Sequence, residues 1–279
     1  MATFGLFLAH KEDPVASARR AEELGFDMVT ISDHLHGASP TWEPWTALTW
    51  IAAATERIRV APNVLGLPYR HPAVTAKMAE TLQRLSGGRL VLGIGAGGSD
   101  TEFQAFGLPV RSPGEKVDAF EEALRIIRGL WEQESFSFEG ERYTVGEARI
   151  EPKPEGRIPI WVGAYGDRMI EVIGRHADGW MPSTMYIALD RASDKMERLR
   201  ATAEAAGRDP DEITCALNVW LRIEEDAEAR KGQIAGGTDE VVEALSGLLE
   251  RGFSHLNFAT SGDLEEQRGR LAEEILPKL

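Results

Sequence analysis

Short apolar runs and stripes of helical period alternate along almost the whole chain. TFGLFLA (3–9), FDMVTIS (26–32), RIRVAPNVL (57–65) and RLVLGIG (89–95) read as strands, each followed by a helical pattern. Asp13 before Pro14 marks the start of a helix with Val15, Ala18 and Leu24 on one face and Gly25 as its stop. Residues 44–56 predict a second helix, and Val74, Met78, Leu82 and Leu85 behind Pro72 predict a third. A loop with Gly and Pro over 99–115 precedes a long helix carrying Val117, Phe120, Leu124, Ile127 and Trp131. The alternation resumes with IPIWVG (158–163), a helix at 166–177, the short strand DGWMPS (178–183), and a helix bearing Leu189, Ala192, Met196 and Leu199. It ends with ITCALNVWL (213–221), a helix opening at Thr238, HLNFA (255–259) and a last helix over 262–276. Only 135–150, SFSFEGERYTVGEARI, departs: aromatic and apolar residues alternate around Glu139-Gly140, which predicts a small inserted hairpin.

Strands that each lead into a helix predict a parallel sheet. Eight of them favour closure into a (β/α)8 TIM barrel. No repeat, low-complexity tract or linker interrupts the rhythm, so residues 1–279 read as one domain. The net charge of −14 argues against nucleic-acid and anionic-membrane partners, because the summed field repels polyanions. Cys215 is the single cysteine, which excludes an internal disulfide and a thiolate zinc site. The N-terminal MATFGLFLAHKED meets charge too early for a secretory signal, and no 18-residue apolar run occurs, so a cytoplasmic location is expected.

In a parallel barrel the chemistry gathers where the strands end. Those ends carry Ser32-Asp33-His34, Asn63-Val64-Leu65-Gly66, the glycine run GIGAGG (93–98), Gly163-Ala164-Tyr165-Gly166, and Trp180, Met181 and Ser183. Gly93, Gly95 and Gly98 match G-x-G-x-x-G, but three strand–helix units precede them. The acids at the dinucleotide-fold distance, Glu115 and Asp118, begin a helix where a strand tip would be required. Two readings remain for the run: close packing at a barrel corner, or a loop whose backbone approaches a flat cofactor. His34 is the candidate for proton transfer, since imidazole titrates near neutrality. Asp33 equally suits a turn cap. His34-x-His36 raises a metal alternative, but His71, His176 and His255 fall in or near helices or at a strand start, so no metal is expected. Trp42, Trp45 and Trp180 are candidate substrate walls that serve equally as packing residues.

Taken together, FGLFL, ISDHLHG, PNVLGLPYRHPAVTAKMAETLQRLSGGRLVLGIGAG, EALRIIRGLW, PIWVGAYGDRMIEVIGRHADGWMPS and IAGGTDEVVEALSGLLERGFSHLNF make the chain resemble the luciferase-like flavin and deazaflavin oxidoreductases. The resemblance spans nearly the whole chain. It implies a (β/α)8 barrel, usually dimeric, with the cofactor ring at the C-terminal mouth. Ser32-Asp33-His34 looks like the branch that uses coenzyme F420, whereas FMN-binding relatives more often carry Glu before the His. By that resemblance Asp33 bonds the ring and His34 faces the reacting carbon. A non-prolyl cis peptide is implied at Asn63–Val64. Cofactor contacts are implied around Val64 and Gly66, at Gly95, Ala96 and Gly97, and from Gly163 to Gly166. Arg70 and Arg168 are candidates for the coenzyme's phosphate and carboxylate tail, because an acidic protein needs local cations there. The function implied is F420-dependent hydride transfer to or from a small organic substrate, with an FMN-dependent monooxygenase as the alternative. Sugar-phosphate dehydrogenases of this family place a Glu after the fourth-strand turn. Gly98 stands there, and no basic cluster for a sugar phosphate is recognisable.

Overall fold

The computed structural model describes residues 2–279. Its strands are β1 Thr3–Phe7, β2 Met28–Ile31, β3 Arg59–Pro62, β4 Leu65–Gly66, β5 Leu92–Gly95, β6 Phe136–Glu139, β7 Thr144–Ala148, β8 Ile160–Val162, β9 Gly179–Trp180, β10 Thr214–Ile223, β11 Gln233–Gly236 and β12 His255–Thr260. Its helices are α1 Pro14–Glu23, α2 Pro44–Ala54, α3 Pro72–Leu85, α4 Asp100–Ala105, α5 Pro113–Glu132, α6 Asp167–His176, α7 Leu189–Ala205, α8 Thr238–Glu250 and α9 Leu264–Arg270.

Strands β3, β2, β1, β12, β10, β9, β8 and β5 lie side by side in that order, all parallel. A parallel bridge between Val60 and Leu90 joins β3 to the chain entering β5 and closes the ring. The fold is a (β/α)8 barrel. Strand β4 adds to the upper end of β5, and β11 to the end of β10. Strands β6 and β7 pair antiparallel outside the barrel.

Alternation along each strand builds two packed layers. Leu6, Val29, Ile31, Ile94, Val162, Leu217 and Phe258 face outward and pack beneath the helices. Met28, Ala61, Val91, Trp161, Met181 and Ala216 form a separate cluster inside the barrel. The interior also holds a polar ladder. Asn257 Nδ2 donates to Thr30 Oγ1 at 3.1 Å and to Asn218 Oδ1 at 2.8 Å. Asn63 Nδ2 donates to the same Asn218 oxygen at 2.7 Å. Thr30 and Asn257 are fully buried, while Asn63 and Asn218 are half-buried toward the mouth.

The helix starts follow the expected local chemistry. Asp13 accepts from the Val15 and Ala16 N–H groups at 2.9 and 3.0 Å. Ser112 and Glu115 form a reciprocal capping box on α5. One difference from the sequence pattern bears on the site: the expected loop over 99–115 contains α4, a six-residue helix too short to show an apolar stripe. Cys215 is buried in β10, and burial pushes its thiol up to about 11. Among the described residues no helix is long and apolar enough to cross a membrane.

Candidate active site at the C-terminal rim

Just above the barrel interior the chain turns at Asn63–Val64, whose peptide is cis. The half-buried Val64 side chain lies between two inward-facing glycines. A Cβ on Gly95 would stand 2.9 Å from Val64 Cγ2, and one on Gly163 would stand 3.1 Å from the same atom. A Cβ on Gly93 would run into the Pro62 carbonyl oxygen. Close packing around the Val64 turn therefore accounts for Gly93 and Gly95. The dinucleotide alternative is excluded, because Glu115 caps α5 and Asp118 pairs with Arg168 beside it. The result is a low floor at the mouth, with Val64 at its centre and glycine backbone on either side.

His34, just beyond the end of β2, stands over one edge of this floor with its side chain 62% exposed. Its Nδ1 is 2.7 Å from Glu102 Oε1 on α4. The other oxygen of Glu102 accepts from the Tyr69 hydroxyl at 2.9 Å. Burial would push the Glu102 carboxyl up, but hydrogen bonds from His34, Tyr69 and Ser99 outweigh it and hold the group below the usual carboxylate range. Burial and the neighbouring Glu102 charge push the Tyr69 hydroxyl far up, so it remains a donor. With Glu102 as the carboxylate, His34 Nδ1–H donates a hydrogen bond to it, which leaves Nε2 as the nitrogen available to a substrate proton.

Asp33 holds the same strand tip from below. Its Oδ2 accepts from the Gly66 N–H and from Arg70 Nη1, both at 2.9 Å. Arg70 also donates to Glu43 at 2.6 Å. Burial pushes the Asp33 carboxyl up, with Arg70 and Gly66 opposing it. A further histidine, His10 after β1, meets Ser32 Oγ at 3.0 Å, while its Nδ1 is buried with no partner. Burial, then the nearby His34, pulls its imidazole down.

The family model for luciferase-like monooxygenases matches residues 9–277. This chain belongs to the luciferase-like monooxygenase family. It is 31% identical to a protein named F420-dependent glucose-6-phosphate dehydrogenase from Microbacterium testaceum (strain StLB037), with 93% of this chain and 90% of that one covered. It is 34% identical to a phthiodiolone/phenolphthiodiolone dimycocerosates ketoreductase from Mycobacterium bovis (strain BCG / Pasteur 1173P2), over 84% of this chain and 64% of that one. An F420-dependent secondary alcohol dehydrogenase solved with an F420-acetone adduct superposes with a TM-score of 0.89, covering 99% and 98% of the two chains at 20% identity, a likeness of fold.

In this luciferase-like barrel several expected site residues converge and others do not. His34, Val64, Gly95, Gly163 and Tyr165 all lie at the one rim. Tyr165 meets Tyr186 edge-on at 5.7 Å, and burial pushes its hydroxyl up to about 12. The Gly66 N–H is taken by Asp33, the Gly97 carbonyl by Lys116 and the Ala164 carbonyl by Trp180. Ala96 is half-buried, and Gly166 opens α6 with no side-chain cap.

Four expectations need correction. The Asp33 side chain is fully enclosed, so it braces the tip through Arg70 and cannot itself bond a ring. Trp180 follows the inward Gly179, faces outward and is completely buried, so it is no substrate wall. Trp45 is buried in the layer between strands and helices. Trp42 remains exposed at the rim. Arg70 is committed to Asp33 and Glu43, which removes it as a tail contact. His36 packs against Phe106 at 6.0 Å.

Glu102, Tyr69 and His10 escaped the sequence reading. Ser99-x-x-Glu102 is the available signal for α4, a helix-start pattern inside the expected 99–115 loop.

Proposed function

We propose that this chain is an F420-dependent oxidoreductase that moves a hydride between the deazaflavin and a small organic substrate. The observation that carries the proposal is the 2.7 Å contact between His34 Nδ1 and Glu102 at the edge of the Val64 floor. The unpartnered His10 Nδ1 and the glycine-flanked floor fit a flat ring with polar edges. The names of the relatives support the same cofactor.

The deazaflavin, when bound, supplies or takes up the hydride. Everything else falls to the chain. Val64 supports the ring, with backbone at Asn63, Gly66, Gly95, Ala96, Gly97, Gly163 and Ala164 forming its surroundings. The uncapped N–H groups at the start of α6, behind Tyr165 and Gly166, suit an anionic tail. Arg168 is exposed, and its exposed pair with Asp118 exchanges for another anion at little cost. Glu102 fixes the His34 tautomer, and His34 Nε2 takes a proton from an alcohol or returns it to a carbonyl.

Titration of the apoprotein with F420 and with FMN, followed by absorbance and fluorescence, tests this. F420 is expected to bind tightly, and the reduced enzyme to be insensitive to oxygen. Tight FMN binding with oxygen uptake would move the protein to the monooxygenase alternative.

The same reading takes residues 1–279 as one functional unit, cytoplasmic and homodimeric. Trp50 on α2 with Val74 and Leu85 on α3 form an exposed apolar face suited to a second copy. Trp50→Glu is expected to convert the dimer to monomer in sedimentation equilibrium. A dimer indifferent to that change would place the interface elsewhere.

A further inference from the structure

We propose that the N-terminal end of the barrel is a second binding site, which takes a small monocarboxylate with an apolar body, and that Arg59 grips its carboxylate. The inference is independent of the cofactor reading, because this site lies at the end of the barrel opposite the rim.

A cavity of about 340 Å³ opens there, at the low end of the range for small-molecule pockets. It lies between the first residues of β1, β2, β3 and β12 and the loops that lead into β2 and β3. Strand parity explains what lines it. Met28 and Ala61 belong to the inner cluster. Arg59 pairs with Met28 in the register and stands two residues before Ala61, so it faces inward with them. Trp161 supplies an apolar wall, and the His255 ring meets it edge-on at 5.0 Å. Room for the imidazole comes from Gly5, where a Cβ would stand 2.9 Å from His255 Nε2.

Two polar groups at this cavity lack the partners that buried polar groups require. Arg59 is half-buried, and among the described residues its side chain makes no hydrogen bond and no ion pair. Enclosed arginines elsewhere are engaged: Arg70 and Arg268 hold carboxylates, and Arg89 holds backbone carbonyls. His255 Nε2 is buried without a partner, although Nδ1 meets the Thr3 hydroxyl at 2.8 Å. Burial, then the neighbouring Arg59, pulls this imidazole down to about 3, so the ring stays neutral and the guanidinium is the charge that faces a ligand. The carboxylates at the entrance are spent on backbone. Glu22 Oε1 accepts from the Arg57 and Ile58 N–H groups at 2.6 and 2.8 Å. Asp27 Oδ2 accepts from the Phe4 N–H at 2.7 Å.

The ligand class follows from these groups. One free guanidinium matches one carboxylate, whose two oxygens its fork can take together. Asp27 and Glu22 repel any second negative charge, which disfavours a phosphate dianion. Phe26, Met28 and Trp161 line the cavity and suit an apolar body. An aromatic or branched acid meets all three conditions.

The test is calorimetric titration and thermal unfolding of the full chain, without cofactor, against benzoate, benzamide and inorganic phosphate. Benzoate is expected to bind and to raise the unfolding temperature. Benzamide, which has the shape without the charge, and phosphate are expected to bind about tenfold more weakly or worse. Arg59→Gln is expected to weaken benzoate about tenfold. It should unfold no earlier than wild type, because it removes a half-buried charge that has no partner. Arg59→Lys keeps the charge but not the fork, so it should also weaken benzoate, and it decides the matter if Arg59→Gln does not fold. Arg168→Gln, at the rim, should leave benzoate binding unchanged. Absence of benzoate binding, equal binding of benzamide, tighter binding of phosphate, or an unaltered affinity in the Arg59 variants would each overturn the proposal. Loss of binding in Arg168→Gln would move the anion to the rim and overturn it as well.

Discussion

Replacing His34 with alanine is expected to lower kcat about a hundred- to ten-thousand-fold, the range for removing a positioned general acid or base. The deazaflavin dissociation constant should stay unchanged, because the floor is built from Val64 and glycine backbone. Stopped-flow measurement of the reducing step, beside a fluorescence titration of the cofactor, separates the two quantities. A His34→Ala enzyme that turns over at the wild-type rate would remove the proton-transfer assignment. Glu102→Gln should fall between that variant and wild type. The amide keeps the volume and a hydrogen bond but no longer imposes one tautomer on the ring. The Glu102 carboxyl is held below its ordinary range, so its contribution to stability is present above that range. That contribution disappears as pH falls through the depressed folded value. The orientation of His34 should accordingly persist across the ordinary carboxylate titration.

Asp33→Ala is expected to be the most destabilising change at the rim, about 3 kcal/mol in urea unfolding. That is the low end for breaking a buried pair, because Arg70 keeps Glu43. The loss would combine an orphaned Gly66 N–H with a guanidinium deprived of its enclosed partner. Asp33→Asn retains an acceptor for Gly66 and should cost less. The pH dependence runs opposite to that of Glu102. The folded carboxyl of Asp33 is raised, so its contribution is fully present below the ordinary value and is lost as pH rises through the raised one. Asp33→Asn should flatten that slope. If Asp33→Ala unfolds at the wild-type urea midpoint, the pair does not brace the strand tip.

The barrel was legible in the sequence because each strand is a short apolar run and each helix a stripe, and the two kinds never merge. Strand ends were legible for the same reason, which brought His34, Val64 and the two glycine turns to one rim. What escaped notice depended on facing and on length. Trp180 and Trp161 are both apolar in short strands, and only the two-residue period separates outward from inward. Gly179, packed on Trp161 inside, sends Trp180 outside. Glu102 was missed because α4 is too short to display a period. Thr30, Asn218 and Asn257 are single polar positions within otherwise apolar strands. Nothing local announces that three such interruptions meet at the barrel axis.

That ladder has a consequence for how the protein responds to acid. Carboxamides and a hydroxyl neither gain nor lose protons in ordinary buffers, and they tether the Asn63–Val64 turn to strands on the far wall. The footing of the platform is thus indifferent to acidity, while the carboxyls of Asp33 and Glu102 beside it are not. Titration can alter what reacts at the mouth without tilting the surface on which the reactants rest.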